Sequence, residues 1–175
     1  MSNIFIGLIL VFLDFNLNLG NSTIGLIPDF IGYIIMIKGL EEMAPESVLF
    51  IKVKPFATGM AIYSVVLYIM DLLGISMSLG ALIYLLAIIS TAISLYISYN
   101  IVMGVIDMEE KYNTALNGDT LKSTWKLCAI FNVLSFVSLL IPLVAIVSII
   151  VTLIVSIYFL VVFSKSKNLY YDAIR

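Results

Sequence analysis

Six long apolar runs, separated by short breaks, divide this chain from end to end. A helix that crosses a bilayer needs about 20 mostly apolar residues, within a range of about 17–25. The runs cover about residues 4–19, 24–40, 55–73, 79–106, 124–141 and 142–163. Turn-forming residues punctuate them: Gly20-Asn21-Ser22, Met43-Ala44-Pro45, the stretch 74–80, Asn117-Gly118-Asp119, and Pro142. The pattern predicts an all-α fold, a polytopic transmembrane helical bundle of six spans in a single domain over residues 1–175.

Charge supports lipid as the solvent. Only 11% of the chain is charged and 62% is hydrophobic, whereas a soluble domain carries about 25% charged residues. The small net charge of −2 argues against nucleic acid as a partner. There is no His, and Cys128 is the single cysteine. An internal disulfide, an ordinary His/Cys zinc site, and Ser-His-Asp or Cys-His catalysis are therefore excluded. Cys128 lies in an apolar run and reads as a small hydrophobe. No cofactor is indicated.

Two runs need closer reading. The first lacks a basic stretch before it and a small-x-small cleavage site after it, so it reads as a span and not a signal peptide. The second contains Pro28, which fits the first turn of a helix. A helix over 28–40 rises only about 20 Å, less than the hydrocarbon thickness of about 30 Å. Residues 20–27 are thus expected to form a re-entrant turn before span two.

The nine basic residues fall in three places: Lys38, Lys52 and Lys54; Lys111, Lys122 and Lys126; and Lys165, Lys167 and Arg175. With six spans these lie on one side, which the positive-inside rule makes cytoplasmic. Both termini share that side, giving a multi-pass protein of the cell membrane. Trp125, next to Lys126, reads as an interfacial anchor.

Three acidic residues lie away from the basic links: Asp14, Asp29 and Asp71. Each falls on a helical stripe of small or polar residues. These are Gly7, Val11, Asp14 and Asn18; Gly25, Asp29, Gly32, Met36 and Gly39; and Ala57, Ala61, Ser64, Tyr68 and Asp71. Ionisable residues in spans usually face the bundle interior or a wet cavity. Asp14, Asn18, Asp29 and Asp71 are therefore the candidate ion, proton or solute site. As capping and packing features, Asp29 instead starts span two, Asp71 is solvated, and Asp14 bonds to neighbouring side chains.

Other small residues point to helix packing. Gly25, Gly32 and Gly39 form one stripe, Ser90, Ser94 and Ser98 a second, and Ser148, Thr152 and Ser156 a third. Asn100 and Asn132 are expected to bond between helices. No catalytic motif or metal-ligand set is present.

Asp14-Phe15-Asn16, followed by Ile27-Pro28-Asp29-Phe30-Ile31-Gly32-Tyr33 and by Lys54-Pro55-Phe56-Ala57, resembles a pattern in uncharacterised small membrane proteins of Gram-positive bacteria. The resemblance implies a bacterial plasma membrane and carries no assigned activity. Length and span number are also similar to the substrate-binding subunits of energy-coupling-factor transporters, a likeness of fold alone. The leading expectation is an outward-facing acidic pocket for solute or cation/proton binding or transport. The alternative is a non-catalytic accessory or regulatory protein, acting through helix contacts with a membrane-protein partner or in a homo-oligomer. An enzyme fits least.

Overall fold

The structure, a computed structural model, describes residues 1–13, 16–19, 22–25, 28–74, 81–138 and 142–174. Among these are six helices: α1 (Ser2–Phe12), α2 (Asp29–Glu42), α3 (Val48–Leu72), α4 (Ala81–Tyr112), α5 (Gly118–Ser138) and α6 (Pro142–Ala173). Two short strands, β1 (Asn16–Leu19) and β2 (Ser22–Gly25), lie between α1 and α2.

Among the described residues three helices are long and apolar enough to cross a membrane, over Val48–Leu72, Leu82–Tyr112 and Val144–Ala173. The protein is thus helical with fewer such helices than the six expected. α1 has 11 residues and α2 has 14, rises of only about 16 and 21 Å. α5 has 21 residues, but Asp119, Lys122 and Lys126 occupy its opening turns.

The first two runs change character for a local reason. Asn16-Leu17-Asn18-Leu19 alternates polar and apolar residues with the period of a strand. β1 and β2 pair antiparallel, with Asn16 opposite Gly25 and Leu19 opposite Ser22. Residues 16–19 and 24–25, expected in helical runs, are strand positions, and the other residues of the expected re-entrant turn, 20–21 and 26–27, lie outside the described residues. β2 packs on α3. Non-helical backbone survives at membrane depth only against protein or a wet cavity.

Other boundaries shift less. Ser47 caps α3 by accepting from the Leu49 N–H at 3.2 Å, so Pro55, the expected start, lies two turns inside the helix. Gly74, in the left-handed region at φ +67°, follows the end of α3.

Each helix packs on its neighbours in sequence, and α6 returns against α1, closing a ring. α1 and α2 touch backbone to backbone. A Cβ at Gly7 would sit 2.7 Å from the Gly32 carbonyl oxygen, and one at Gly39 would sit 2.5 Å from the Ile4 nitrogen. The predicted Gly32/Gly39 stripe is this contact; Gly25 is a strand position.

One end of the ring is tied by polar contacts. Glu46 accepts from Lys111 Nζ at 2.8 Å, from the Tyr112 hydroxyl at 2.8 Å and from the Tyr170 hydroxyl at 3.3 Å. Ser47 donates to Asp107. Glu109 accepts from the N–H groups of Leu116 and Gly118 at 2.6 and 2.8 Å. Lys54 pairs with Glu41 at 2.6 Å, and Asn3 donates to Glu42 at 2.7 Å. The link between α2 and α3, the link between α4 and α5, and both terminal segments meet here, at what we term the basic end.

Partial burial pushes the Glu46 carboxyl up, but the hydrogen bonds from Lys111, Tyr112 and Tyr170 outweigh it and hold the group below its ordinary 4.5. Its contribution to stability is complete above about pH 4.5 and is lost as pH falls through the lowered folded value. Melting temperature should therefore fall toward acid pH, and Glu46→Gln should flatten that acid limb. An unchanged acid limb would show that Glu46 does not tie the helices.

Candidate functional site

Packing along the ring is uneven. Near the basic end Ile4, Leu8, Met36, Leu40, Phe50, Ile101, Met108, Phe159 and Phe163 are almost wholly buried. Toward the opposite end, no residue of 62–74, 82–96, 129–136 or 144–155 is buried. One half of the ring is filled with side chains, and the other holds a cavity of about 520 Å³.

Five helices line it. Val11 and Phe12 come from α1, and Asp29 and Tyr33 from α2. Ser90, Thr91, Ser94 and Leu95 come from α4, and Asn132 and Ser135 from α5. α6 gives Ile149, Thr152, Leu153 and Ser156. Counted from the opposite end, Ser90 lies about 14 Å deep in α4, Asn132 about 9 Å deep in α5, and Ser156 about 21 Å deep in α6. The cavity therefore reaches from the outer turns to the middle of the bundle.

Asp29 opens α2 after Pro28, whose extended backbone (φ −62°, ψ 137°) starts the helix. An acid there complements the positive end of the helix dipole. Tyr33 follows one turn later on the same face. Its hydroxyl and the Ser94 hydroxyl share a hydrogen bond that joins α2 directly to α4. No described residue of α3 lines the cavity.

Ser90, Ser135 and Asn132 each bond to a carbonyl of their own helix, and Thr152 to one of its neighbour. The Ser90 hydroxyl donates to the Ala87 carbonyl at 3.0 Å, and the Ser135 hydroxyl to the Asn132 carbonyl at 2.7 Å. Thr152 donates to the Phe131 carbonyl at 3.3 Å, across from α6 to α5. The Asn132 amide nitrogen donates to the Cys128 carbonyl at 2.8 Å. Just below, Trp125 Nε1 donates to Ser98 at 2.9 Å and its ring meets Tyr99.

These placements revise the expected site. Of Asp14, Asn18, Asp29 and Asp71, the structure sets Asp29 at the cavity. Asp71 is exposed in the last turn of α3 and does not line it. Asp14 lies outside the described residues, and Asn18 is described as a strand position alone. No group of three or more His, Cys, Asp or Glu able to hold a metal occurs among the described residues.

The hydroxyl stripes were expected to serve packing, yet Ser90, Ser94, Thr152 and Ser156 line the cavity. Ser98 serves packing through Trp125, and Ser148 is half-buried on α6. Asn100 and Asn132, expected to bond between helices, each donate to a carbonyl of their own helix. Trp125 is a packing residue between α4 and α5 in addition to its place beside Lys126. The missed signal was agreement of depth: both stripes and Asn132 fall in the same half of the bundle as Asp29.

No family model, curated protein or solved structure matches the chain.

Proposed function

We propose that the chain is a six-pass protein of the cell membrane that binds a small polar or cationic solute in the cavity beside Asp29, in a binding or transport role. α1, the hairpin and α2 together make the first two passes, and α5 makes the fifth. The basic end and both termini lie in the cytoplasm by the positive-inside rule, so the cavity faces outward.

The observation that carries this reading is the polar lining. A carboxylate, hydroxyls and a carboxamide gather around about 520 Å³ of space inside a ring of apolar helices. Pockets for small molecules commonly span about 300–1,000 Å³. Polar side chains at membrane depth are costly unless they pair or meet water or a ligand.

Thermal unfolding of the purified full chain tests it, run against small polar solutes, monovalent and divalent cations, and pH. A ligand at a hundred times its dissociation constant stabilises the native state by about 2.7 kcal/mol. A saturable rise in melting temperature is expected, and Thr152→Phe, which fills the cavity from α6, should remove it. If no solute gives a rise that Thr152→Phe removes, the reading fails. A stoichiometric membrane partner found together with that result would favour the accessory role.

A further inference from the structure

We infer that the groove between α1 and α6 binds an anionic phospholipid of the leaflet at the basic end, its phosphate at Lys165 and an acyl chain along the groove. This site is separate from the solute cavity and does not rest on it.

The ring closes through its sparsest helix seam, α6 against α1. Two ring pairs hold that seam, Phe5 with Phe163 and Phe12 with Phe159. Alongside them runs a groove of about 390 Å³. Phe5, Ile9 and Leu13 form one wall, and Ile157, Leu160 and Val161 the other. Ser164, Lys165 and Asn168 complete it. α1 starts and α6 ends at the basic end, so these three polar groups form the mouth, and among the described residues the depth is apolar. An amphiphile is divided in the same way.

Length agrees with an acyl chain. From Asn168 down to Ile157, α6 rises about 16 Å. One leaflet is half of a hydrocarbon core about 30 Å thick.

Charge gives the headgroup. Lys165 is exposed and takes part in no ion pair among the described residues. Lys167 adds a second cation beside the mouth, its Nζ 4.6 Å from the centre of the Phe5 ring. Nearby acids are engaged or remote: Glu41 pairs with Lys54, Glu42 accepts from Asn3, and Asp172 lies about 10 Å further along α6 than Lys165. Asn168 and Ser164 add neutral donors for phosphate oxygens. Basic pockets between helices on the cytoplasmic side suit anionic headgroups.

The walls favour a chain over a partner helix. Helices in lipid approach one another through small residues, as α1 and α2 do at Gly7, Gly32 and Gly39. Here the walls are aromatic and aliphatic, and Ser164, the one small residue, stands at the mouth. Ile157 and Val161 are 45% and 48% exposed, which leaves apolar surface for a flexible chain to cover.

Native mass spectrometry of the full chain in detergent tests this, by titration with dioleoyl phosphatidylglycerol and dioleoyl phosphatidylcholine. The first phosphatidylglycerol should bind at least tenfold tighter than phosphatidylcholine. Lys165→Ala should cut that preference at least fivefold, and Lys165→Arg should keep it. Val161→Trp, which fills the groove, should weaken binding of both lipids; should it fail to fold, Ile157→Trp takes its place. Glycerol phosphate, which carries the charge without the chain, should displace nothing at a hundredfold excess. Equal affinity for the two lipids overturns the proposal, as does a preference unchanged in Lys165→Ala. Displacement by glycerol phosphate would mark an anion site without a lipid. A dimer that Val161→Trp or Ile157→Trp dissociates would make the groove a contact between copies of the chain and overturn the lipid assignment. None of these results bears on the solute cavity, which the thermal screen with Thr152→Phe decides.

Discussion

Gly39→Val should unfold the chain at a much lower temperature than the native sequence. A Cβ at position 39 would lie 2.5 Å from the Ile4 nitrogen, 2.8 Å from Ile4 Cγ1 and 2.9 Å from the Asn3 carbonyl carbon. Two of these three atoms are backbone, so no rotamer change relieves the clash; α1 as a whole must move. Overpacking typically costs about 1–3 kcal/mol, occasionally more, and here it separates the pair that Gly7 and Gly32 also hold at backbone contact. Helices inside lipid gain no hydrophobic drive from association, so close packing is what holds them. Gly59→Ala is the matched control. Nothing lies within 4 Å of a Cβ at Gly59, and Ala is better than Gly in a helix by about 0.5–1 kcal/mol. Thermal unfolding should separate the two variants in opposite directions. Equal effects would mean that the α1–α2 contact is not backbone-tight.

Labelling of single cysteines should divide the bundle by depth and side. The native Cys128 is 2% exposed, with its Sγ 3.5 Å from the Val155 carbonyl oxygen, and should resist thiol reagents in the folded chain. In a Cys128→Ala background, Ser135→Cys and Thr152→Cys should react with a membrane-impermeant maleimide added outside cells. Asn113→Cys and Asp119→Cys, at exposed positions near the basic end, should react once the cytoplasmic face is opened. Ile101→Cys, where the native side chain is fully buried, should react orders of magnitude more slowly from either side. Labelling of Asn113→Cys from outside would invert the orientation. Labelling of Thr152→Cys from the cytoplasm alone would place the cavity mouth on the wrong face.

Much of the helical framework was legible because its signals are long. α3, α4 and α6 follow from extended apolar runs, and the gathering of Lys54, Lys111 and Lys167 at one end follows from the position of the charges. The Gly32/Gly39 stripe was legible because seven residues return a helix to nearly the same face. The hairpin was not, because four residues of strand period sit inside a longer apolar run. In the candidate site Asp29 was legible from its rarity at that depth. Asp71 shared its helical stripe with Ala57 and Ala61, which are buried, yet burial on α3 stops at Ala61. The Tyr33–Ser94 bond joins α2 to α4, a contact between residues 61 positions apart that no local pattern encodes.

The short α1 and α2 bear on how the chain is made. Neither covers the hydrocarbon thickness alone, and the strand residues between them form their backbone bonds with each other. In the proposed six-pass arrangement α1 and α2 therefore enter the bilayer as a pair, joined by the glycine contacts and braced where β2 meets α3, the first described helix long enough to span alone.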